Sequence, residues 1–319
     1  MPLPPSEKSI SVVIPVYNSA AILPELIRQL LVTLKLAGEH EIILINDCSK
    51  DASWEVIQGL AREFPSVRGF TLMRNYGQHN ALLCGIRAAT KQTIVTMDDD
   101  LQHPPEEIPK LLAKLDEGYD VVYGTPRQEQ HGFMRDMASR ITKLALKSSM
   151  GTETANKVSA FRAMRSSVRH AFSDYRSPFV SVDVLLTWAT TRFAAIPVAH
   201  EPRRHGASNY TFTKLATHAF NMMTGFSVIP LQLASLLGFA CAFFGVLVLL
   251  YVLIRYMLLG YSAPGFPFLA SIISIFSGAQ LLAIGIIGEY LSRMHFRMME
   301  RPLYVVRQST EGYEGDSHD

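Results

Sequence analysis

The sequence predicts an α/β domain built on a parallel sheet, followed by two helices that cross a membrane. Three observations predict it. Apolar strand-like runs alternate with amphipathic helical stretches through residue 124, the pattern of consecutive βα units. Polar side chains gather where those runs end, at Tyr17 and Asn18, at Asp47, and at Asp98, Asp99 and Asp100. The last third of the chain then carries two long stretches without a charged residue, each able to supply the ~20 apolar helical residues a bilayer core requires.

Taken in order, residues 11–15 read as a buried strand and 21–36 as an amphipathic helix. Strands at 41–46 and 67–72 flank a helix at 52–63, and a helix at 78–90 leads to a strand at 93–97. A helix at 105–117 and a strand at 120–124 complete the alternation. Residues 219–254 and 256–288 contain no charge and no polar face of the kind a soluble helix keeps, so they read as two spans. Tyr261-Ser-Ala-Pro-Gly-Phe-Pro267 supplies the turn between them. Residues 210–226 have apolar positions at helical spacing and predict helices lying at the membrane interface; a helix packed on the domain is the rival reading. The expected organisation is a catalytic-type domain over 1–205, interface helices over 206–229, spans over 230–291 and a tail over 292–319.

The chain has 319 residues and a net charge of +2. That is more than one ordinary domain, and the near-neutral balance gives no case for nucleic acid. Cys48, Cys84 and Cys241 are scattered, with no metal spacing or disulfide framework. They read as small buried hydrophobes in a reducing compartment. The N-terminus lacks a signal-peptide pattern. Arg203, Arg204 and Lys214 precede the first span and Arg293, Arg297 and Arg301 follow the second, while only Arg255 stands near the intervening loop. The positive-inside bias places the domain and the C-terminus in the cytoplasm and the spans in the inner membrane.

Three adjacent carboxylates after the apolar run at 93–97 repel one another and need a positive partner or water. If the chain stays extended, Asp98 and Asp100 point to one side, and Gln102 continues the alternation. Two hard carboxylates with a neutral oxygen suit Mg²⁺ or Mn²⁺ shared with a phosphate. A solvated acidic turn capping the next helix is the competing reading. In an open parallel sheet, the carboxyl ends of the strands border the ligand crevice.

Four segments occur in order: Val13-Ile-Pro-Val-Tyr-Asn18, Ile45-Asn-Asp-Cys-Ser-Lys-Asp51, Arg74-Asn-Tyr-Gly-Gln-His79 and Asp98-Asp-Asp-Leu-Gln-His-Pro104. With Arg203-Arg-His-Gly-Ala-Ser-Asn-Tyr210, Gly288-Glu-Tyr290 and Arg301-Pro-Leu-Tyr304, they resemble family 2 glycosyltransferases of the GT-A fold, and more closely the polyprenyl-phosphate glycosyltransferases. The resemblance covers nearly the whole chain. It implies a Rossmann-like mixed sheet, a nucleotide-sugar donor (UDP-linked), a polyprenyl phosphate acceptor (undecaprenyl phosphate), contact with the bilayer, and Mg²⁺ or Mn²⁺. Pro15, Tyr17 and Asp47, with Asn18 and Asp51 in the same loops, would hold the nucleotide. Asp98 would contact the nucleotide sugar, and Asp100 with Gln102 the metal and diphosphate. Arg127, with Arg135 or Arg140, would meet phosphate charge, and Arg203 and Ser208 would sit near the lipid phosphate or donor diphosphate. Two-span members often associate, which implies a homo-oligomer.

The sequence departs from the family pattern at several positions. Ser19 stands where Glu is common and Cys48 where Gly is common, and Asn209 replaces a phosphate-facing Lys. Before Phe161 and Arg162, Asn156 or Ser159 occupies the region of a carboxylate often proposed as a base. A phosphate monoester, with a second pKa near ~6, is already ionised and needs no base. Asn156 and Lys157 are then expected to position the acceptor phosphate or the donor sugar. The rival functions are a processive polysaccharide synthase with a hydroxyl acceptor, whose extra spans and Gln-x-x-Arg-Trp motif are not seen, and a non-catalytic membrane scaffold.

Overall fold

Strand β1 (Ile10–Val16) is buried at every position, as a strand covered by helices on both faces must be. The computed structural model describes residues 9–35, 38–126, 158–176, 180–201, 229–259 and 265–311. They belong to two compact units, one of Met1–Thr211 with Arg301–Asp319 and one of Phe212–Glu300. In the first, β1 pairs in parallel with β2 (His40–Asn46) and β4 (Thr93–Thr96), and β2 with β3 (Val67–Leu72). Helices α1 (Leu23–Leu34), α2 (Ser53–Glu63) and α3 (Gln78–Ala88) make the crossovers, and α4 (Ile108–Asp116) comes after a short 3₁₀ turn at Pro105–Glu107. All nine elements expected before residue 125 therefore form, with ends shifted by a few residues at most.

The alternation of β1 sorts its side chains. Ile10, Val12, Ile14 and Val16 pack with Leu26, Ile27 and Leu30 of α1, Ile57 of α2 and Leu111 of α4. On the other face α3 approaches so closely that a Cβ on Gly85 would lie 2.3 Å from Val13 Cγ1. Each fully buried aliphatic side chain of this kind contributes about 1.5–3 kcal/mol.

The sheet is mixed rather than all parallel, so the alternation alone misleads and the resemblance is right. Its order is β7-β5-β6-β4-β1-β2-β3-β8. β6 (Arg162–Arg165) runs antiparallel to both β4 and β5 (Val121–Pro126), and β7 (Phe193–Val198) runs parallel to β5. Helix α5 (Val182–Ala189) precedes β7. β8 (Val306–Ser309) pairs antiparallel with β3, so the segment 292–319, expected to be a tail, includes a strand of the first unit's sheet. The chain runs outward from β1 through β2 to β3, then returns to lay β4 on β1's other side. That reversal is a topological switch point, where ligands bind beyond the carboxyl ends of the strands.

The second unit contains α6 (Ile229–Leu259) and α7 (Phe266–Met298). At 31 and 33 residues they extend about 46 and 50 Å, against a hydrocarbon core of about 30 Å. Leu231–Leu258 and Ile275–Met298 are long and apolar enough to cross a membrane and are unburied by protein. Leu236, Leu237, Val246 and Leu249 stand exposed on different sides of α6, which fits a membrane anchor and not a soluble helix. Pro267 lies in the first turn of α7, where its missing N–H costs nothing, rather than in the expected loop. The interface-helix segment before Ile229 lies outside the described residues. Cys84 is buried, and burial pushes its thiol up to about 12; Cys48 and Cys241 are only half-buried, unlike the expectation.

Candidate active site

Four loops at the carboxyl ends of β1, β2, β3 and β4 enclose a cavity of about 340 Å³, within the size of small-molecule sites. The expected residues Pro15, Tyr17, Asp47, Asp98 and Asp100 line it, and so do Asn75, Gly77, Gln78 and Asp99, which had no assigned role. Asn18, Asp51 and Gln102 are not among the lining residues. Arg127, Arg135, Arg140, Asn156, Lys157, Arg203 and Ser208 lie outside the described residues.

The β1 and β2 loops are fastened to each other. Asn18 adopts φ 56°, a left-handed conformation Asn tolerates. Its N–H donates to Ser49 Oγ at 3.0 Å, and its Oδ1 accepts from Lys50 N at 2.7 Å. Asp51 caps α2: Oδ1 accepts from Ser53 N at 3.1 Å and Ser53 Oγ at 2.5 Å, and Oδ2 from Ala20 N at 3.1 Å. Burial pushes its pKa up, but these hydrogen bonds outweigh that and hold it below the usual value. Cys48 also has φ 56°, which gives the physical reason why Gly would suit that position.

Asp47 is 3% exposed, and both its oxygens are engaged. Oδ1 accepts from Tyr76 N at 2.7 Å and Oδ2 from Gly77 N at 2.8 Å. Asn75 Nδ2 donates to the Asp47 carbonyl at 3.3 Å. Asp47 therefore anchors the loop after β3, and each oxygen keeps one lone pair for a further donor. Burial raises its pKa despite the two amides. Gly77, at φ 89°, lets the chain turn there into α3.

The three aspartates do not continue the strand. β4 stops at Thr96, Asp99 and Asp100 form a turn, and Leu101 reverses the chain at φ 58°. The expected alternation through Gln102 is therefore broken. Asp98 Oδ1 accepts from Gln78 Nε2 at 2.6 Å. Asp99 Oδ2 accepts from Ser19 Oγ at 2.5 Å and Tyr17 N at 3.2 Å, so Ser19 ties the β1 loop to the acidic turn. Burial raises the Asp99 pKa; the Ser19 and Tyr17 bonds lower it less, and the Asp100 charge adds to the rise. Asp100 Oδ1 accepts from Gln102 N at 3.1 Å, and the Gln102 carbonyl accepts from Glu201 N at 2.8 Å.

A buried positive charge, Arg162, 1% exposed, stands on β6 beside the strand that leads into the acidic turn. Its guanidinium pairs with Asp183 on α5 and donates from Nε to Thr96 Oγ1 at 3.0 Å. Tyr123 Oη donates to the same Asp183 oxygen at 3.0 Å. Burial pulls the arginine pKa down, but Asp183, Tyr123 and Asp98 outweigh it and hold the charge in place. His103, buried after the turn, stacks on Phe161 at 5.1 Å between ring centroids and tilts against His200 at 4.9 Å. Burial and His200 push its pKa down to about 4, so it is neutral and serves in packing. His79 Nδ1 accepts from Val182 N at 3.5 Å.

Among the described residues, no three His, Cys, Asp or Glu side chains converge as a metal cage. Asp98 and Asp100 nevertheless offer two hard oxygen donors on one cavity wall. That set fits a Mg²⁺-type ion completed by water and phosphate oxygens rather than by protein.

A mixed α/β sheet with an acidic turn over a cavity at its switch point defines an architecture of the GT-A type. Residues 11–172 match the profile described as glycosyl transferase family 2, and the chain belongs to that family. It is similar to the undecaprenyl-phosphate 4-deoxy-4-formamido-L-arabinose transferase of Shewanella sediminis, 37% identical over 95% of this chain and 93% of the relative. The Pseudomonas aeruginosa protein of that name is 37% identical over 94% of this chain and 89% of its own. The Enterobacter sp. protein is 36% identical over 94% and 93%. Among solved structures, glucosyl-3-phosphoglycerate synthase from Mycobacterium tuberculosis, in complex with Mn²⁺, UDP and glucosyl-3-phosphoglycerate, shares the fold. Its TM-score is 0.52 at 19% identity, over 68% of this chain and 78% of that one.

Proposed function

We propose that the chain is a membrane-anchored inverting glycosyltransferase that moves a sugar from a UDP-linked donor to undecaprenyl phosphate. The observation that carries this reading is the 37% identity sustained over 95% of the chain with undecaprenyl-phosphate sugar transferases. UDP and Mn²⁺ in the mycobacterial structure support a nucleotide and a divalent cation in the equivalent place. Two apolar helices support a site that meets a lipid acceptor. The basic residues flanking the spans support a cytoplasmic domain and C-terminus at the inner membrane.

In this reading Pro15 and Tyr17 hold the base, with Asp47 accepting its N–H through a remaining lone pair. Asn18 and Asp51 shape the loops around it. Asp98 meets the nucleotide's ribose. Asp98 and Asp100 would hold Mg²⁺ or Mn²⁺, which when bound neutralises the departing diphosphate, and Gln102 steadies Asp100 through its backbone N–H. Arg127, Arg135, Arg140 and Arg203 balance phosphate charge beside Ser208, and Asn156 with Lys157 orients the acceptor. A lipid phosphate oxygen forms the new bond to the anomeric carbon as the carbon–oxygen bond to the nucleotide diphosphate breaks on the opposite face. The acceptor is already ionised, so the rate comes from positioning and charge neutralisation rather than from a base.

The test is incubation of membranes containing the protein with a panel of UDP-sugars, a formamido-arabinose derivative among them, and undecaprenyl phosphate. Mass spectrometry should find one sugar on the lipid phosphate, with matching UDP release abolished by chelator and by Asp98→Ala with Asp100→Ala. Transfer to a hydroxyl acceptor instead would favour a polysaccharide synthase. Activity surviving chelation or the double substitution would sink the metal-dependent reading.

A further inference from the structure

The segment after the second long helix makes more contacts with the cavity's supports than an edge strand requires. Leu303 is buried. The Tyr304 ring lies 5.8 Å from the Arg87 guanidinium, and its hydroxyl meets the Cys84 thiol, both on α3. The Val305 carbonyl accepts from Met73 N at 2.9 Å. Gln308 Oε1 accepts from Trp54 Nε1 on α2 at 3.2 Å. Thr310 exchanges two 3.0 Å bonds with the Gly69 backbone, and a Cβ at Gly69 would stand 3.1 Å from Thr310 Cγ2. Glu311 pairs with Arg68 at 2.9 Å.

Most of these contacts tie the segment along β3 and to α2 and α3, and the Val305–Met73 bond reaches the start of the loop after β3. The register between β3 and β8 shifts between Thr71 and Leu72, immediately before that loop. Such irregularities bend a strand and re-aim the residues beyond it, and they are frequent beside active sites. The loop is thus held at two points, by the Val305 carbonyl on Met73 and by Asp47 on Tyr76 and Gly77. Between and just beyond those points lie Asn75 and Gln78, which face the cavity, and Gln78 holds Asp98.

We propose that residues 303–311 are a positioning element of the cavity: they fix the 73–78 loop from its first residue, so that Gln78 and the Asp47-bound amides stand where the donor needs them. The nucleotide arm of the test rests on the proposed function; the amide arm does not. Hydrogen exchange is compared between the full chain, a chain ending at Glu300, and a Tyr304→Ala, Gln308→Ala double variant. The expected result is amide exchange at Met73, Tyr76 and Gly77 about tenfold faster in both variants, the loss of one hydrogen bond's worth of protection. Amides of β1 and β2 keep theirs. UDP affinity measured with Mn²⁺ falls in parallel, and a peptide of residues 301–311 added to the shortened chain restores both. Unchanged protection at 73–78, or an equal loss of protection in β1 and β2 of the double variant, overturns the proposal. If loop protection falls and the full chain fails to bind UDP, the nucleotide reading fails while the positioning role stands.

Discussion

Arg162 is a fully buried charge on the strand beside the acidic turn, and its partner is Asp183. Asp183 and Tyr123, and to a smaller degree Asp98, hold its guanidinium charged despite burial. Breaking a buried pair leaves an uncompensated charge, so Arg162→Met should cost about 3–5 kcal/mol of stability. Adding Asp183→Leu should recover a large part of it; thermal unfolding of the three proteins measures both. Gln78 is the second residue whose role comes from geometry alone. Its 2.6 Å bond to Asp98 is charge-assisted, and such bonds are worth about 1.5–3 kcal/mol. Gln78→Ala should therefore lower kcat/KM for the donor by about tenfold or more, with a measurable fall in melting temperature. Asp47 and Asp98 are legible as site residues because carboxylates after apolar runs have no structural excuse. Arg162 is not, because an arginine in a short segment looks exposed until the strand that buries it is known.

At the scale of elements, the strand and helix periods of the first 124 residues are readable because each βα unit repeats one pattern. β6, α5 and β7 are not. β6 has four residues, two of them arginine, and antiparallel insertion depends on partners distant in sequence. The acidic turn escapes the sequence for a related reason: strand alternation holds only while the chain is extended, and Leu101 reverses it. The amino ends of the strands, opposite the cavity, are joined by Glu41 on β2. It accepts from Ser11 Oγ at 2.6 Å, Thr90 N at 2.7 Å, Thr90 Oγ1 at 2.8 Å and Arg68 at 2.7 Å. Burial would raise its pKa, yet these bonds outweigh it and hold the folded value below 4.5. The stability this gives is complete above pH 4.5 and is lost as pH falls through the folded pKa. Glu41→Gln should lower the melting temperature at neutral pH, by about 2 kcal/mol of stability. It should also flatten the decline between neutral and acid pH, read from melting curves across that range.

For the whole molecule, connectivity constrains topology. Residues 306–309 pair with β3 in the first unit although both long helices intervene in the chain, so a two-span anchor requires both ends of the first unit on one side of the membrane. Reporter fusions at the two ends of the chain should report the same side of the membrane; opposite sides would refute a two-span anchor. The spans themselves are evident from their lack of charge, because a bilayer tolerates little else. The return of residues 306–309 into the sheet is not, since Val-Arg-Gln-Ser has no strand signature of its own and is recruited by β3's open edge. That recruitment has a price in biogenesis. The strand that covers β3 follows both long helices in the chain, so a nascent chain exposes a bare hydrogen-bonding edge until that strand has been made, and bare edges promote aggregation. Premature stop codons that spare both helices should therefore lower the yield of folded protein, read from the soluble fraction after extraction.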